Sequence, residues 1–411
     1  MVIKNLTSAA LVMLVLVFSV GCGDDDPAVL GNDGATLNNL NLSGALALFS
    51  NGDLTVIEDS KGKPFFAMKL YALSKGGDFA EVPVSFSGTP NGGTENYTLY
   101  ALNERYSILS FFTRSESYII DQATGEVHKS LYIGQPQYCA AGANDLYFND
   151  LYAYNVEHIN RSVKISNFLS ADAQETETPG VGHFILDKND NLYSWTTTST
   201  VDVSYYGSGS QTKIVSCTGI FNDHQNKLNV VFADGSISSL QDGAISPEVS
   251  LKNANVDRSL FQAYTFSGQQ KTLAISYGAN NYVTLYDVAT GQSKLNISML
   301  DNGNFSLRYG SAIGKYLFLF GEASVGITLF RIDITDYSYI KMSYNNSAIL
   351  WMKSLTALSD TELLAQSCEP SSTGDGSCTP RLIYFDMSGN VKTIVDGLNP
   401  HAEVIRLSDN Q

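Results

Sequence analysis

One unit recurs along this chain: an apolar strand ending in aspartate, a short turn holding glycine or asparagine, and a second strand. It reads LTVIEDSKGKPFFAMKL around Asp59, SYIIDQATGEVHKSLYI around Asp121 and VTLYDVATGQSKLNISM around Asp287. It returns as TLFRIDITDYSYIKM around Asp333 and LIYFDMSGNVKTIVDGL around Asp386. Fainter copies, FILDKNDNLYSW and VVFADGSISSL, surround Asp187 and Asp234. The strong copies stand about 45–60 residues apart, and the gap from Asp121 to Asp287 takes three more intervals of about 55. A unit this size cannot bury its apolar surface alone, so copies must stack.

Most copies are preceded by a further strand in a hairpin, as in TLAISYGANNYVTLYDV and KYLFLFGEASVGITLFRIDI. Each unit therefore holds at least three antiparallel strands, with room for a fourth. The strand-end aspartate can accept backbone N–H bonds across the turn while glycine or asparagine takes positive φ. Strands such as YLFLF and SILSFF are apolar on both faces, so each sheet is sandwiched between neighbours. With 23 Tyr, 20 Phe and 34 Gly, the composition favours strands and tight turns. The expected fold is all-β, a β-propeller with seven blades, six and eight being compatible with the faint middle. Either AEVIRL near the C-terminus or GALALF near the N-terminus could close the ring, and the sequence does not choose.

The turns IIDQATGEVHK and LYDVATGQSKL resemble the D-x-x-T-G turns of quinoprotein-like and YVTN-like propeller repeats. A quinoprotein repeat would place a blade-closing tryptophan near His128 and Lys129, and only Trp195 and Trp351 exist in the whole chain. No quinone or other cofactor is expected.

The N-terminus carries Lys4, an uncharged apolar run from Ala9 to Val20, and then Ser19-Val20-Gly21-Cys22. The run of about 12 residues falls short of the roughly 20 that span a bilayer, and fits the h-region of an export signal. With Cys22 at its end it resembles bacterial lipoprotein signals, although Ser19 stands where that family usually has leucine. The resemblance implies cleavage before Cys22, lipid on that residue, and a place in the cell envelope as an outer-membrane lipoprotein facing the periplasm or the surface. Residues 1–21 are then the signal, 22–35 an acidic flexible tether and 36–411 the propeller. The acids Asp24, Asp25 and Asp26 also resemble the surface-export tags of some Gram-negative lipoproteins. The net charge of −16 excludes nucleic acid as a partner, because phosphates demand Lys and Arg.

Four cysteines remain beyond Cys22. Cys368 and Cys378 bracket a loop of small polar residues, and a disulfide between them is expected. Cys139 and Cys217 are either bonded to each other or free. No Cys/His spacing suggests zinc. Five histidines, His128, His158, His183, His224 and His401, are scattered. No catalytic or metal-binding residue can be named. Asp187, Asn189, Asp190 and Asn191 imitate part of a calcium loop but lack its turn glycine and distal glutamate, so a plain β-turn is expected. The stretch Thr196–Lys213 is longer than a hairpin requires, and its Tyr205 and Tyr206 are candidates for a loop that stacks on a sugar or docks a partner. A second insert, SGTPNGGTENYTLY, is equally ambiguous.

Two functions fit. The first is a non-catalytic interaction or scaffold module held to the membrane by lipid and serving an envelope protein. The scaffold lipoprotein of the outer-membrane β-barrel assembly machinery is similar in length and general design. The alternative is a glycan-binding lipoprotein or a propeller enzyme acting on carbohydrate.

Overall fold

The computed structural model describes residues 36–58, 64–84, 86–87, 97–103, 105–111, 116–131, 133, 136–150, 161–170, 172–178, 183–197, 200–207, 210–252, 254, 256, 261–278, 282–302, 306–323, 326–344, 352–370, 378–396 and 404–407. Cys22, Asp59, His158, His401 and most of the second insert lie outside them.

Eight four-stranded antiparallel sheets follow one another. Blade 1 holds Ala45–Glu58, Pro64–Ser74 and Phe79–Val82, and blade 2 runs from Tyr97 to Ser130. Blade 3 runs from Pro136 to Glu177, blade 4 from His183 to Cys217 and blade 5 from Gly219 to Ser250. Blade 6 runs from Gln262 to Ser298, blade 7 from Ser306 to Tyr344 and blade 8 from Met352 to Asp396. The first strands of neighbouring blades touch, as between blades 3 and 4 and between blades 7 and 8, so these strands form the hub. Second and third strands are buried on both faces: Tyr106–Phe111 and Glu116–Asp121 in blade 2 are buried throughout. Fourth strands face outward, as Gln174–Glu177 does along its whole length.

The core is divided as a ring requires. Eight apolar clusters each lie between one blade and the next, from the blade 1–2 cluster round to the blade 8–1 cluster. Alternation along one strand feeds two of them. In Tyr316–Glu322 of blade 7, Leu317 and Leu319 pack towards blade 6 while Phe318 and Phe320 pack towards blade 8. This explains why the YLFLF strand is apolar at every position.

The ring closes from the C-terminus. Val404–Arg406 pairs with the start of Ala45–Glu58, with Ile405 opposite Leu48, and becomes the first strand of blade 1. Side chains clasp the same seam. Glu362 of blade 8 accepts from the Gly76 amide of blade 1 at 2.7 Å and from the Tyr384 hydroxyl at 2.7 Å. Lys392 reaches Asp78 at 2.9 Å.

The blade number corrects the expected seven to eight. Asp121, Asp287, Asp333 and Asp386 do occupy equivalent turns, between third and fourth strands. Each accepts backbone N–H bonds on its carboxylate, as Asp121 does from Ala123 at 2.9 Å and Asp287 from Thr290 at 3.1 Å. Asp187, however, lies between first and second strands, and Asp234 between second and third. The corresponding third turns of blades 3 and 5 use other chemistry: Asn167 at φ 53° in blade 3, and the pair Asp242–Gly243 at φ 50° and 76° in blade 5. Counting aspartates therefore mixed unlike turns and lost one blade.

Before blade 1, Thr36–Leu37 pairs with Phe86–Ser87. Leu37, Leu40 and Leu42 are buried in the blade 1–2 cluster. Leu40 donates its amide to the Gly125 carbonyl at 2.9 Å. A side chain at Gly125, which sits at φ 72°, would meet the Leu40 carbonyl oxygen at 2.0 Å. The N-terminal segment is thus wedged into the rim between blades 1 and 2.

Candidate functional site: the hub cavity

In each meander the turn after the first strand and the turn after the third lie at the same end. At that end the hub opens into a cavity of about 590 Å³, walled by first strands and first turns of blades 2 to 6. A second recess of about 450 Å³ is lined by residues of blades 7, 8 and 1. Apolar wall residues include Leu102, Phe184 and Leu186, and polar ones Asn103, Asn222 and Asn226.

Three carboxylates, Asp187, Asp190 and Asp223, line this mouth. Asp187 Oδ1 accepts the Asn189 and Asn191 amides at 2.8 and 3.0 Å, and its Oδ2 accepts Asn191 Nδ2 at 2.9 Å. Asp223 repeats the arrangement with the Gln225 and Lys227 amides at 2.8 and 3.0 Å and with Asn229 Nδ2 at 3.3 Å. The Asp190 carboxylate rests on the first turn of blade 3, accepting the Ala143 amide at 3.4 Å. Its Oδ1 would stand 2.6 Å from any Cβ placed at Gly142. These acids shape turns and join blades. The stretch from Asp187 to Asn191 is the plain turn expected from sequence, with Asp190 at φ 59°. Among the described residues no group of three or more His, Cys, Asp or Glu is arranged to hold a metal ion.

The cations of the mouth are Arg105 and Lys188. Arg105 Nε donates to Asp121 Oδ2 at 2.9 Å. Burial pushes the Asp121 carboxyl up, but the Arg105 guanidinium and the amides of Ala123 and Thr124 outweigh it and hold the pKa below the usual carboxylate range. Asn222 Nδ2 donates to the Leu186 carbonyl at 3.2 Å, while its buried Oδ1 has no hydrogen-bond partner among the described residues.

Tyr205 and Tyr206 do not form the expected extended loop. They lie on the strand Val201–Gly207, third in blade 4, which pairs directly with Ser210–Cys217. The Tyr205 ring packs on Tyr193 at 5.1 Å, and the Tyr206 hydroxyl bonds Ser194 Oγ at 2.8 Å. Both rings are half-buried and help join blade 4 to its neighbours. Neither Cys139 nor Cys217 forms a disulfide. Cys139 lines the hub cavity, and Cys217 is buried between blades 4 and 5 with its thiol pushed up to about 12 by burial. Cys368 and Cys378 lie on paired strands of blade 8, where Cys368 is opposite Pro380 and Pro370 opposite Cys378. The described histidines do not converge. His128 is on the outermost strand of blade 2, and His224 is in the first turn of blade 5. His183 stacks on Trp195 at 4.0 Å with rings 10° from parallel, and burial lowers its pKa.

The sequence reading missed the hub residues Asn103, Arg105, Asn222 and Asn226. One signal could have found the turn beside Asn222 and Asn226: the kinship of Asp187-Lys-Asn-Asp-Asn with Asp223-His-Gln-Asn-Lys, two first turns of consecutive blades.

No family model matches the chain, and no curated protein does. Solved structures do resemble it. The tricorn protease is 9% identical with a TM-score of 0.40, the match covering 83% of this chain and 39% of that one. The chain thus spans about two fifths of that protease. Prolyl oligopeptidase B from Galerina marginata is 10% identical with a TM-score of 0.45, covering 74% of this chain and 51% of that one. The β-propeller domain of the Trilobed protease from Pyrococcus furiosus is 13% identical with a TM-score of 0.37, covering 89% and 99%. That domain has an open velcro topology, whereas the ring described here is shut by Val404–Arg406.

Proposed function

We propose that this chain is a lipid-anchored β-propeller of the cell envelope that acts as a non-catalytic interaction module. Acyl chains on Cys22 hold it to the outer membrane, and its ring meets an envelope protein. The observation that carries the reading is the state of two hub carboxylates: Asp187 and Asp223 each accept three hydrogen bonds, on both oxygens, from the turn and adjoining strand of their own blade. Carboxylates engaged in this way hold the local fold of the hub, which supports a non-catalytic reading.

The docked N-terminal segment supports the anchored setting. A leash from Cys22 to Thr36 reaches at most about 50 Å when extended, and roughly 20 Å as a flexible coil. Thr36, where the leash joins the ring, pairs with Ser87 beside the blade 1–2 cluster. An oxidising compartment also suits a Cys368–Cys378 bridge.

The test is metabolic labelling with palmitate, followed by capture from detergent-solubilised envelope and a glycan array on the untethered domain. Label lost in Cys22→Ala, with a stable protein partner and no sugar signal, is the expected outcome. An unlabelled wild-type chain overturns the anchor, and a sugar signal without a protein partner overturns the module. The glycan reading is favoured by one observation, the His183–Trp195 stack on the two innermost strands of blade 4, a flat aromatic surface of the kind sugars pack against.

A further inference from the structure

Free sheet edges invite pairing with foreign strands, and proteins blunt them by shortening, bulging, proline or charge. Shortening, bulging or proline blunts seven of the eight outer strands here. Those of blades 1, 2 and 3, Phe79–Val82, Val127–Ser130 and Gln174–Glu177, are four residues each, the last with two glutamates. Register shifts against the third strand interrupt the outer strands of blades 4, 5, 6 and 8. Blade 5 adds Pro247 within the strand.

Blade 7 has none of these three, and the only charge on its outer strand is one lysine. Its outer strand, Tyr339–Tyr344, pairs with Ile327–Asp333 through six consecutive residue pairs without a shift. It contains no proline and no acid. It also exposes two adjacent large apolar residues, Tyr339 at 45% and Ile340 at 48%. The two faces of the strand extend the two flanking cores. Tyr339 packs edge-on against Phe330 of the blade 6–7 cluster at 5.6 Å, and Met342 packs on the blade 7–8 cluster. The sheet stops one strand short of covering what it exposes.

The single charge on this edge is Lys341. It pairs across the ladder with Phe330, and it has no carboxylate partner among the described residues. A second copy of this chain fits poorly, because a symmetric pairing centred on this lysine would oppose the two lysines. We infer that the outer strand of blade 7 is a docking edge for an extended segment of a partner protein, one that adds a fifth strand and carries an acidic residue flanked by apolar ones. Main-chain bonds supply the affinity, and the residues opposite Tyr339, Ile340 and Lys341 supply the choice. This deepens the interaction-module reading and rests on it only for the identity of the setting. The edge itself is testable without lipid.

The probe is a capped peptide, Thr-Val-Ile-Glu-Ile-Val-Thr, titrated onto the untethered domain beside a twin with lysine in place of glutamate. The glutamate peptide should bind and slow amide exchange within 339–344. Ile340→Lys should weaken it, and Lys341→Glu should exchange the preference between the twins, each by about two- to fivefold given the size of cross-strand pair effects. Far-ultraviolet circular dichroism matching wild type would show both variants folded. Exchange unchanged across 339–344, or a preference between the twins that Lys341→Glu leaves in place, overturns the proposal. Failure here with Cys22 still labelled and a partner still captured would sink the edge alone and leave the anchored module standing.

Discussion

Glu362 is the residue whose loss should tell most about the ring. It lies in blade 8, is 4% exposed, and binds across the seam to blade 1. Its Oε1 accepts from the Gly76 amide and from the Tyr384 hydroxyl, both at 2.7 Å, and its Oε2 accepts from Ser359 Oγ at 3.1 Å. In Glu362→Ala the first two donors are left without their acceptor, at roughly 1–3 kcal/mol each. The one buried methylene lost with them adds about 0.8 kcal/mol at the usual transfer value. The sum is roughly 3–7 kcal/mol, a large share of a typical stability of about 5–15 kcal/mol. Glu362→Gln keeps the shape and the acceptor Oε1, exchanging charge-assisted bonds for neutral ones, and should cost only about 1–2 kcal/mol. Equilibrium urea unfolding of both variants, followed by tryptophan fluorescence and by far-ultraviolet circular dichroism, measures the difference. An alanine variant within about 1 kcal/mol of wild type would refute the clasp, since so small a loss means the seam does not depend on these bonds.

Other outcomes follow from single residues. Burial raises the Asp333 carboxyl, but the Lys315 ammonium and the Thr335 donors outweigh it and bring it to about 2. Because the folded value lies below the unfolded one of about 3.9, its contribution is present above about pH 4 and is lost as pH falls towards 2. Asp333→Asn should flatten the acid limb of a stability–pH curve in that window, and more so at low salt. In the folded domain a thiol reagent should modify Cys139 quickly and Cys217 only on unfolding, while a non-reducing peptide map should yield a Cys368–Cys378 linked pair. Gly310→Ala should destabilise by roughly 1–3 kcal/mol through overpacking, because the added methyl would meet the Tyr264 hydroxyl at 2.0 Å. Thermal melts of this variant with and without Tyr264→Ala would show whether that clash is the cause.

Much of the architecture was legible because it is written in periodic chemistry. Two-sided apolar strands such as Tyr316–Glu322 betray sheets with neighbours on both faces, and the aspartates at 121, 287, 333 and 386 mark one equivalent turn. The blade count was not legible because aspartate also caps other turns. Asp187 and Asp234 look like Asp287 in sequence, since each supplies the same short acceptor to backbone amides, yet they close different hairpins. Ring closure could not be read either, because Ile405 and Leu48 are ordinary apolar residues whose pairing joins opposite ends of the chain. The hub was hidden for a related reason. Its walls come from first turns of five blades, and nothing in the local sequence of Asn103 or Asn222 says that they face one cavity. Tyr205 and Tyr206 drew attention as a polar, glycine-flanked stretch, but the same residues make a regular hairpin whose rings fill the gaps between blades.

Hydrogen exchange at residues 404–407 tests most directly whether the chain is a closed ring of eight blades. A strand paired to Ala45–Glu58, with Ile405 2% exposed, should exchange as slowly as the partner residues of blade 1. Exchange of those amides at the rate of an unstructured peptide, with blade 1 still protected, would contradict the closed ring.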